Sequence, residues 1–481
     1  MFIHGRSTPS RGGESILVLD KATGQAIAAV PDSTPDDVTA ALESAQGAFQ
    51  KWRRRPSRDR AALMHRGAGA VRANAEALAG LLVAEVGKPL AGARREAKAV
   101  AGLLDFFAEE GLRLRGEIPQ LNLPDERVFI VKEPVGVVAA IVPSNYPLIL
   151  LSWKLGAALA SGCTLVAKPS EDTPLATLRL AELLAEAGLP PGVFNVVTGY
   201  GHTAGKALVE HPIPRKIAFT GGVETGKKIA ALAAQTNKRV TLELGGQSPA
   251  IVCDDADLEV AIPVLVRQSF DNAGQYCYRI NRLYVQDGVF DRVAERLVAE
   301  TEKLKVGPGR DPSCFMGPLV NERLFARSVA HIEDALERGA RLLTGGQRLA
   351  GPEFDGGYFL QPTLLADTDH SMRVMTEETF GPVAGLMKVE SLAEAIALAN
   401  DTRYGLAAYV FTRNLAAALQ AAEQLEAGSV WVNNIHRSYN EAPFGGFKES
   451  GLGREKSHFG LDEYLELKTI YLSLSDARRD S

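Results

Sequence analysis

Between residues 135 and 244 the sequence alternates short apolar, β-branched runs with Gly or Pro and then with helical periodicity. The runs fall at 137–142, 164–167, 194–197, 216–220 and 240–244. Mostly apolar runs of this length suit strands buried on both faces, and the helix-period segments between them suit crossovers that cover those faces. The pattern therefore predicts a parallel, Rossmann-like α/β sheet. A second alternation follows Gly245, with strands predicted at 250–252, 282–285 and 430–432 and helices at 289–301 and 324–338. A chain of 481 residues exceeds what one hydrophobic core ordinarily serves, so this second pattern is read as a second α/β domain.

Ahead of the sheet, Thr34 is placed to cap a helix that starts at Pro35, with Asp36 and Asp37 at its positive end. Val38, Ala41, Leu42, Ala45, Phe49 and Trp52 repeat at helical spacing and predict one buried face. Two other segments, 117–132 and 469–473, alternate apolar and polar residues with no helix beside them. They read as strands that pair with something else, a candidate oligomerisation flap whose unpaired edges another subunit would cover.

The net charge of −5 gives no field for a phosphate backbone, and the run Arg53-Arg54-Arg55 is too short to change that, so it is read as solvated surface. No apolar stretch approaches the ~18–20 residues of a membrane helix, and residues 1–6 lack a signal-peptide pattern, which predicts a cytoplasmic address with no nucleic-acid or membrane partner. Four cysteines with no CxxC pair and no His cluster argue against a disulfide framework or a metal site. At least one thiol is then free for chemistry.

Three short motifs bear on that chemistry. In Asn272-Ala273-Gly274-Gln275-Tyr276-Cys277, a loop-to-helix turn would favour the Cys277 thiolate through helix-terminal N–H groups; a buried structural cysteine is the alternative. Glu243, at an apolar strand end before Gly245-Gly246, would have its pKa raised by burial into the range of a general base, unless it is a salt-bridged surface residue. Asn145, held between Pro143 and Pro147, aims an amide that either stabilises an oxyanion or caps a turn.

With Lys168-Pro169-Ser170-Glu171, Phe219-Thr220-Gly221-Gly222 to Gly226, Glu377 through Pro382 and Pro443 through Lys448, these motifs resemble, in order and spacing, the NAD(P)-dependent aldehyde dehydrogenase superfamily over nearly the whole chain. The resemblance implies an NAD-binding domain from 1–116 and 134–244, a catalytic domain at 245–447, and oligomerisation strands at 117–133 and 466–481. It implies aldehyde oxidation to a free acid, with Cys277 as nucleophile, Glu243 as base and Asn145 with the Cys277 main-chain N–H as oxyanion site. Lys168 and Glu171 would hold the adenosine ribose hydroxyls and Ser170 could hydrogen-bond a 2′-phosphate, Gly199, Gly222 and Gly226 would let the chain approach the dinucleotide, and Glu378 and Phe380 would position the nicotinamide. NAD is the expected cofactor with NADP a second option, and a homodimer or homotetramer the expected assembly. Gly222 departs from the serine that many members carry, which removes one pyrophosphate hydrogen bond.

The C-terminal motifs are most similar to the succinate-semialdehyde branch, yet Trp153 and Asp271 stand where that branch commonly has arginines. Tyr146, Leu150, Trp153, Asp271, Tyr276, Tyr278, Arg437, Ser438 and Phe444 are the expected substrate-pocket residues. Aromatic rings with polar tips, and an Asp271 that would repel a carboxylate with only Arg437 to offset it, predict a neutral aldehyde of aromatic or hydroxyl character, with an aminoaldehyde or succinic semialdehyde as alternatives.

Overall fold

The computed structural model describes residues 1–122, 124–435 and 439–474. Two large sheets organise it. In the first, the strands Arg239–Glu243, Pro214–Thr220, Val137–Ile141, Thr164–Lys168 and Phe194–Val196 lie side by side and all parallel. Short antiparallel strands close both edges, Phe2–Ile3 beside Phe194–Val196 and Gly451–Leu452 beside Arg239–Glu243. The five runs read from the sequence are these five strands, shifted by at most two residues at either end. Their side chains are buried almost throughout, because helices such as Pro147–Ser161 and Val223–Ala234 cover the faces.

The chain runs outward from Val137–Ile141 to one side and then returns to its other side at Pro214–Thr220. Such a reversal opens a crevice beyond the carboxyl ends of the two strands, where α/β sheets bind ligands.

The second sheet has the order Arg341–Thr344, Thr363–Ala366, Val383–Val389, Ile280–Gln286, Ser248–Val252, Ala407–Phe411, Ser429–Val432, parallel except for its first strand. The helices Phe290–Thr301 and Glu322–Glu337 pack there, as their amphipathic spacing predicted.

Helix Pro35–Trp52 begins with a reciprocal cap: the Thr34 hydroxyl accepts from the Asp37 N–H and the Asp37 carboxylate accepts from the Thr34 N–H at 3.0 Å. A cap of this kind contributes about 1 kcal/mol. Its buried face is Val38, Ala41, Leu42, Ala45, Phe49 and Trp52.

The flap differs from the expectation. Strand Glu126–Pro134 starts nine residues later than predicted, Glu117 touching it only through an isolated bridge to Ile130, and it pairs along its length with Leu465–Ser473. The two segments thus satisfy each other within one chain. Leu467, Ile470, Tyr471 and Leu472 remain exposed on the second strand.

Among the described residues no helix is long and apolar enough to cross a membrane, and no group of His, Cys, Asp and Glu is arranged to hold a metal. All four cysteines are free. Arg53, in the basic run, pairs with Glu133 at 3.1 Å.

Candidate active site

A cleft of about 360 Å³ lies at the crevice, with Lys168, Ser170 and Glu171 at one part of its wall and Asn145, Cys277, Glu378 and Phe380 at another. Gly221 and Gly222 line the floor between them.

Cys277 is held by a strained turn. After helix Leu258–Phe270, Asn272, Ala273 and Gly274 take φ of 51°, 56° and 67° in succession, which two of the three can adopt only at a cost. Surrounding contacts hold them there. The Gln275 side chain accepts from the Val320 N–H at 2.9 Å and donates to the Asn272 carbonyl at 3.0 Å, and the buried Arg279 guanidinium donates to the carbonyls of Gly381 and Val383. A side chain on Gly274 would collide with the Gly381 carbonyl at 2.4 Å.

No helix starts at Cys277. It lies in the turn that leads to strand Ile280–Gln286, so the expected support of a thiolate by helix-terminal N–H groups is absent. Burial, and then the charges of Glu243 and Glu378, push its thiol well above the ordinary value. The resting sulfur is therefore protonated, and it donates to Glu243 Oε1 at 3.4 Å.

Glu243 ends its strand fully buried, with Oε2 unpartnered. Burial and then the Glu455 charge push its carboxyl up to about 8, while Lys154 pulls it down. The next glycines are sterically required: a Cβ on Gly245 would meet the Glu378 carboxylate at 2.6 Å and one on Gly246 the Cys277 carbonyl at 2.3 Å. Glu378 Oε1 accepts from the Gly246 N–H at 3.0 Å, which ties the strand end to the opposite wall.

Asn145 donates one amide hydrogen to the Gln275 carbonyl at 2.9 Å, a bond that orients the group and leaves its second N–H for another acceptor. Behind Glu243, Lys154 forms a buried pair with Glu455 at 2.5 Å and donates to the Thr220 hydroxyl at 2.7 Å. The sequence reading missed both partners. A lysine as the one charged residue of the otherwise mainly apolar run Pro147–Ser161 was a signal for Lys154; Glu455, in a glycine-rich loop, offered none.

The cleft fits a dinucleotide. Lys168 Nζ pairs with Glu171 at 3.2 Å, and Ser170 and Asp172 stand beside them. Helix Val223–Ala234 begins at Gly222 with no side-chain cap, so its first-turn N–H groups point at the cleft floor as an anion site. Gly199 and Gly226 are both tightly packed. Neither lines the cleft; a Cβ on Gly199 would meet the Asp32 carboxylate at 2.9 Å, and one on Gly226 would meet Leu244 at 2.5 Å. They are packing glycines, and Gly226 lets the helix sit close to the sheet.

Beyond Cys277 the rings form a wall. Tyr278 meets Phe444 at 5.9 Å between centroids, and Phe444 meets Trp153 at 5.5 Å. Tyr276 touches Tyr278 but turns its hydroxyl to the Gln268 carbonyl, so its polar tip is spent on packing. Tyr146 lies under the Lys88 ammonium at 3.6 Å, and Leu150 lines the cleft. Asp271 is not uncompensated: Arg95, from helix Leu90–Leu112, stands 3.6 Å away. Arg437 and Ser438 lie outside the described residues.

Residues 8–470 match the Aldehyde dehydrogenase family. The chain is 43% identical to the NADP(+)-linked succinate-semialdehyde dehydrogenase of Escherichia coli over 98% of its own length and 97% of that protein's. It is also 43% identical to the 3-sulfolactaldehyde dehydrogenase of Pseudomonas putida, over 98% and 96% of the two chains. The solved structure of a betaine aldehyde dehydrogenase from Staphylococcus aureus in complex with NAD+ superposes with a TM-score of 0.97 at 36% identity, covering 100% of this chain and 96% of that one. An aligned thiol, buried carboxylate and amide on a cleft built for a dinucleotide, together with family similarity along almost the entire sequence, lead to one conclusion: the chain belongs to the aldehyde dehydrogenase family.

Proposed function

We propose that the protein oxidises an aldehyde bearing a distal acidic group to the corresponding acid, with Cys277 as nucleophile, Glu243 as base and Asn145 as oxyanion donor. The observation that carries the chemistry is the Cys277 thiol donating at 3.4 Å to a buried carboxylate beside the cleft. Glu243 takes the thiol proton, and the thiolate adds to the carbonyl carbon. The tetrahedral oxyanion receives the second Asn145 N–H and the Cys277 main-chain N–H. Bound NAD or NADP would accept the hydride that departs as the adduct becomes a thioester. After losing its first proton, Glu243 deprotonates the water that releases the acid.

In this reading segments 1–116 and 134–244 hold the nucleotide through Lys168, Ser170, Glu171 and Gly222, while 245–447 supplies the thiol, and Glu378 with Phe380 orients the nicotinamide end. The expectation of a neutral substrate rested on the aromatic rings, on the two changed arginine positions and on repulsion of a carboxylate by Asp271. Arg95 supplies the missing charge, and the two relatives are named for aldehydes that carry a carboxylate or a sulfonate. Turnover of succinic semialdehyde, butanal, benzaldehyde and 3-aminopropanal tests the choice; highest efficiency on a neutral or cationic aldehyde overturns it. Cys277→Ala is expected to lower acid formation by ~10⁴-fold or more while NAD still binds; turnover that survives it would reassign the nucleophile.

The exposed apolar residues Leu467, Ile470, Tyr471 and Leu472 support assembly through the flap as a homodimer or homotetramer. Light scattering at 51.5 kDa would refute it. Four free thiols support a reducing, cytoplasmic setting.

A further inference from the structure

Glu96, on helix Leu90–Leu112, forms an ion pair at 2.5 Å with Lys88, which precedes that helix, and the two side chains are 0% and 1% exposed. Neither lines the cleft. A pair buried this deeply is seldom more stabilising than apolar residues of the same volume, so its value lies in what else the two charges hold. Glu96 Oε1 accepts from the main-chain N–H groups of Leu148 at 3.0 Å and Ile149 at 3.3 Å. These are first-turn donors of helix Pro147–Ser161, and Tyr146, at the start of that helix, supplies no side-chain cap. A carboxylate from another helix therefore does the capping, and it meets the positive end of the helix dipole. Lys88 holds the adjoining residue: its ammonium lies 3.6 Å from the centroid of the Tyr146 ring. Asn145 comes immediately before this pinned stretch.

The same helix reaches the other half of the oxyanion site. Arg95, next to Glu96, stands 3.6 Å from Asp271, whose Oδ1 accepts from the Asn272 N–H at 3.1 Å. Asn272 in turn donates through its side chain to the Asn145 carbonyl and to the Gln275 carbonyl, each at 3.3 Å. The second of these carbonyls is also the one that receives the Asn145 amide. One helix thus grips both stretches of backbone that frame the site, the one that carries Asn145 and the one that leads to Cys277.

We infer that Glu96 and Lys88 are positioning residues for the oxyanion site, fixing the backbone at 146–149 so that the second Asn145 N–H stays aimed at the oxyanion. A donor held in place beforehand needs no reorganisation when the charge develops. A misplacement of about 1 Å can cost on the order of 10²-fold in rate, so the fixing matters. Charge suits the task, because a carboxylate binds main-chain N–H groups more strongly than a neutral cap does. Since the pair reaches neither wall of the cleft, its effect falls on kcat and leaves binding alone.

The inference rests on the oxyanion reading of Asn145, and a double-mutant cycle separates the two. The full-length enzyme, with NAD and whichever of the four aldehydes named above it turns over fastest, is compared as wild type, Asn145→Ala, Lys88→Met/Glu96→Leu and the three changes together. Replacing both charges leaves no lone buried ion. The readouts are kcat, KM for the aldehyde and the dissociation constant of NAD. Lys88→Met/Glu96→Leu should lower kcat about tenfold or more where Asn145 is present and less than about twofold in the Asn145→Ala background, with KM and the dissociation constant within about threefold of wild type. A merely structural role would lower both backgrounds alike. Glu96→Gln, which keeps the shape and loses the charge, takes the same place in the cycle should the leucine form not fold, with a loss of about threefold or more expected beside Asn145 and none in Asn145→Ala. An undiminished kcat in Asn145→Ala overturns the oxyanion reading and the inference with it. A kcat that falls in Asn145→Ala, while the Glu96 variants lower it equally in both backgrounds or in neither, overturns the inference alone.

Discussion

The two walls of the cleft are built in different ways. On the nucleotide side the chain presents mostly main chain and small residues: Gly221, Gly222, the uncapped start of Val223–Ala234, and one charged pair, Lys168 with Glu171. On the thiol side it buries charge, with Glu243, Lys154 and Glu455 out of solvent behind Cys277 and Glu378 on the cleft wall. A dinucleotide presents the same phosphates and ribose in every turnover, so fixed dipoles suffice to hold it. The thiol side must take up and release protons, which requires groups whose charge is poised by burial. The difference predicts that substitutions on the thiol side change rates and pH dependence, while those on the nucleotide side change affinities.

After the nucleophile Cys277 itself, the largest effect is expected at Glu243. Glu243→Gln should lower kcat by ~10²–10⁴-fold, the range for removal of a general base. Its pKa is raised to about 8, so the ionised base grows as pH rises through 8, and kcat/KM in wild type should climb to a plateau above that pH. The variant should lose this limb; a limb that persists would place the titrating group elsewhere. Asn145→Ala comes next, at ~10²–10³-fold in kcat, the cost of one oxyanion donor, with the dissociation constant for NAD unchanged. If affinity for NAD falls instead, the two walls are not separable at that point. The smallest effect lies across the cleft. Beside the adenosine ribose the Glu171 carboxylate would disfavour a 2′-phosphate by roughly 1–4 kcal/mol. Glu171→Gln should therefore raise NADP efficiency relative to NAD about tenfold or more, with kcat on NAD little changed, measured as the ratio of the two kcat/KM values.

The nucleotide wall was also the more legible in sequence. Its strands are continuous apolar runs and its turns fall at glycines, features set by local backbone needs, so 137–142 and 216–220 could be placed within two residues. The glycine pair Gly245-Gly246 and the position of Cys277 were legible for the same reason. What could not be read was pairing between distant charges. Lys154 finds Glu455 301 residues away, and Arg95 meets Asp271 across two helices that share no motif. Nothing local in either partner names the other. The flap failed for a related reason: alternation marks 117–132 and 469–473 as strands but does not say that the strands there, Glu126–Pro134 and Leu465–Ser473, are each other's partner. The thiol was misjudged because Gly-Gln-Tyr-Cys was read as the start of a helix, whereas the left-handed residues Asn272 and Ala273 turn the chain toward a strand.

The edge strand Gly451–Leu452 pairs with Leu242 and Glu243, Ser450 bonds to Gly245 and Leu244, and Glu455 closes the ion pair with Lys154. Synthesis delivers Cys277, Glu243 and the whole nucleotide wall long before these residues leave the ribosome. A nascent chain that ends at Val432 thus holds the nucleophile without Glu455, the charge that most raises its base, and its Glu243 strand still has an open edge. The strand that carries the base is therefore enclosed only once residues 450–455, some two hundred positions later, have joined the fold.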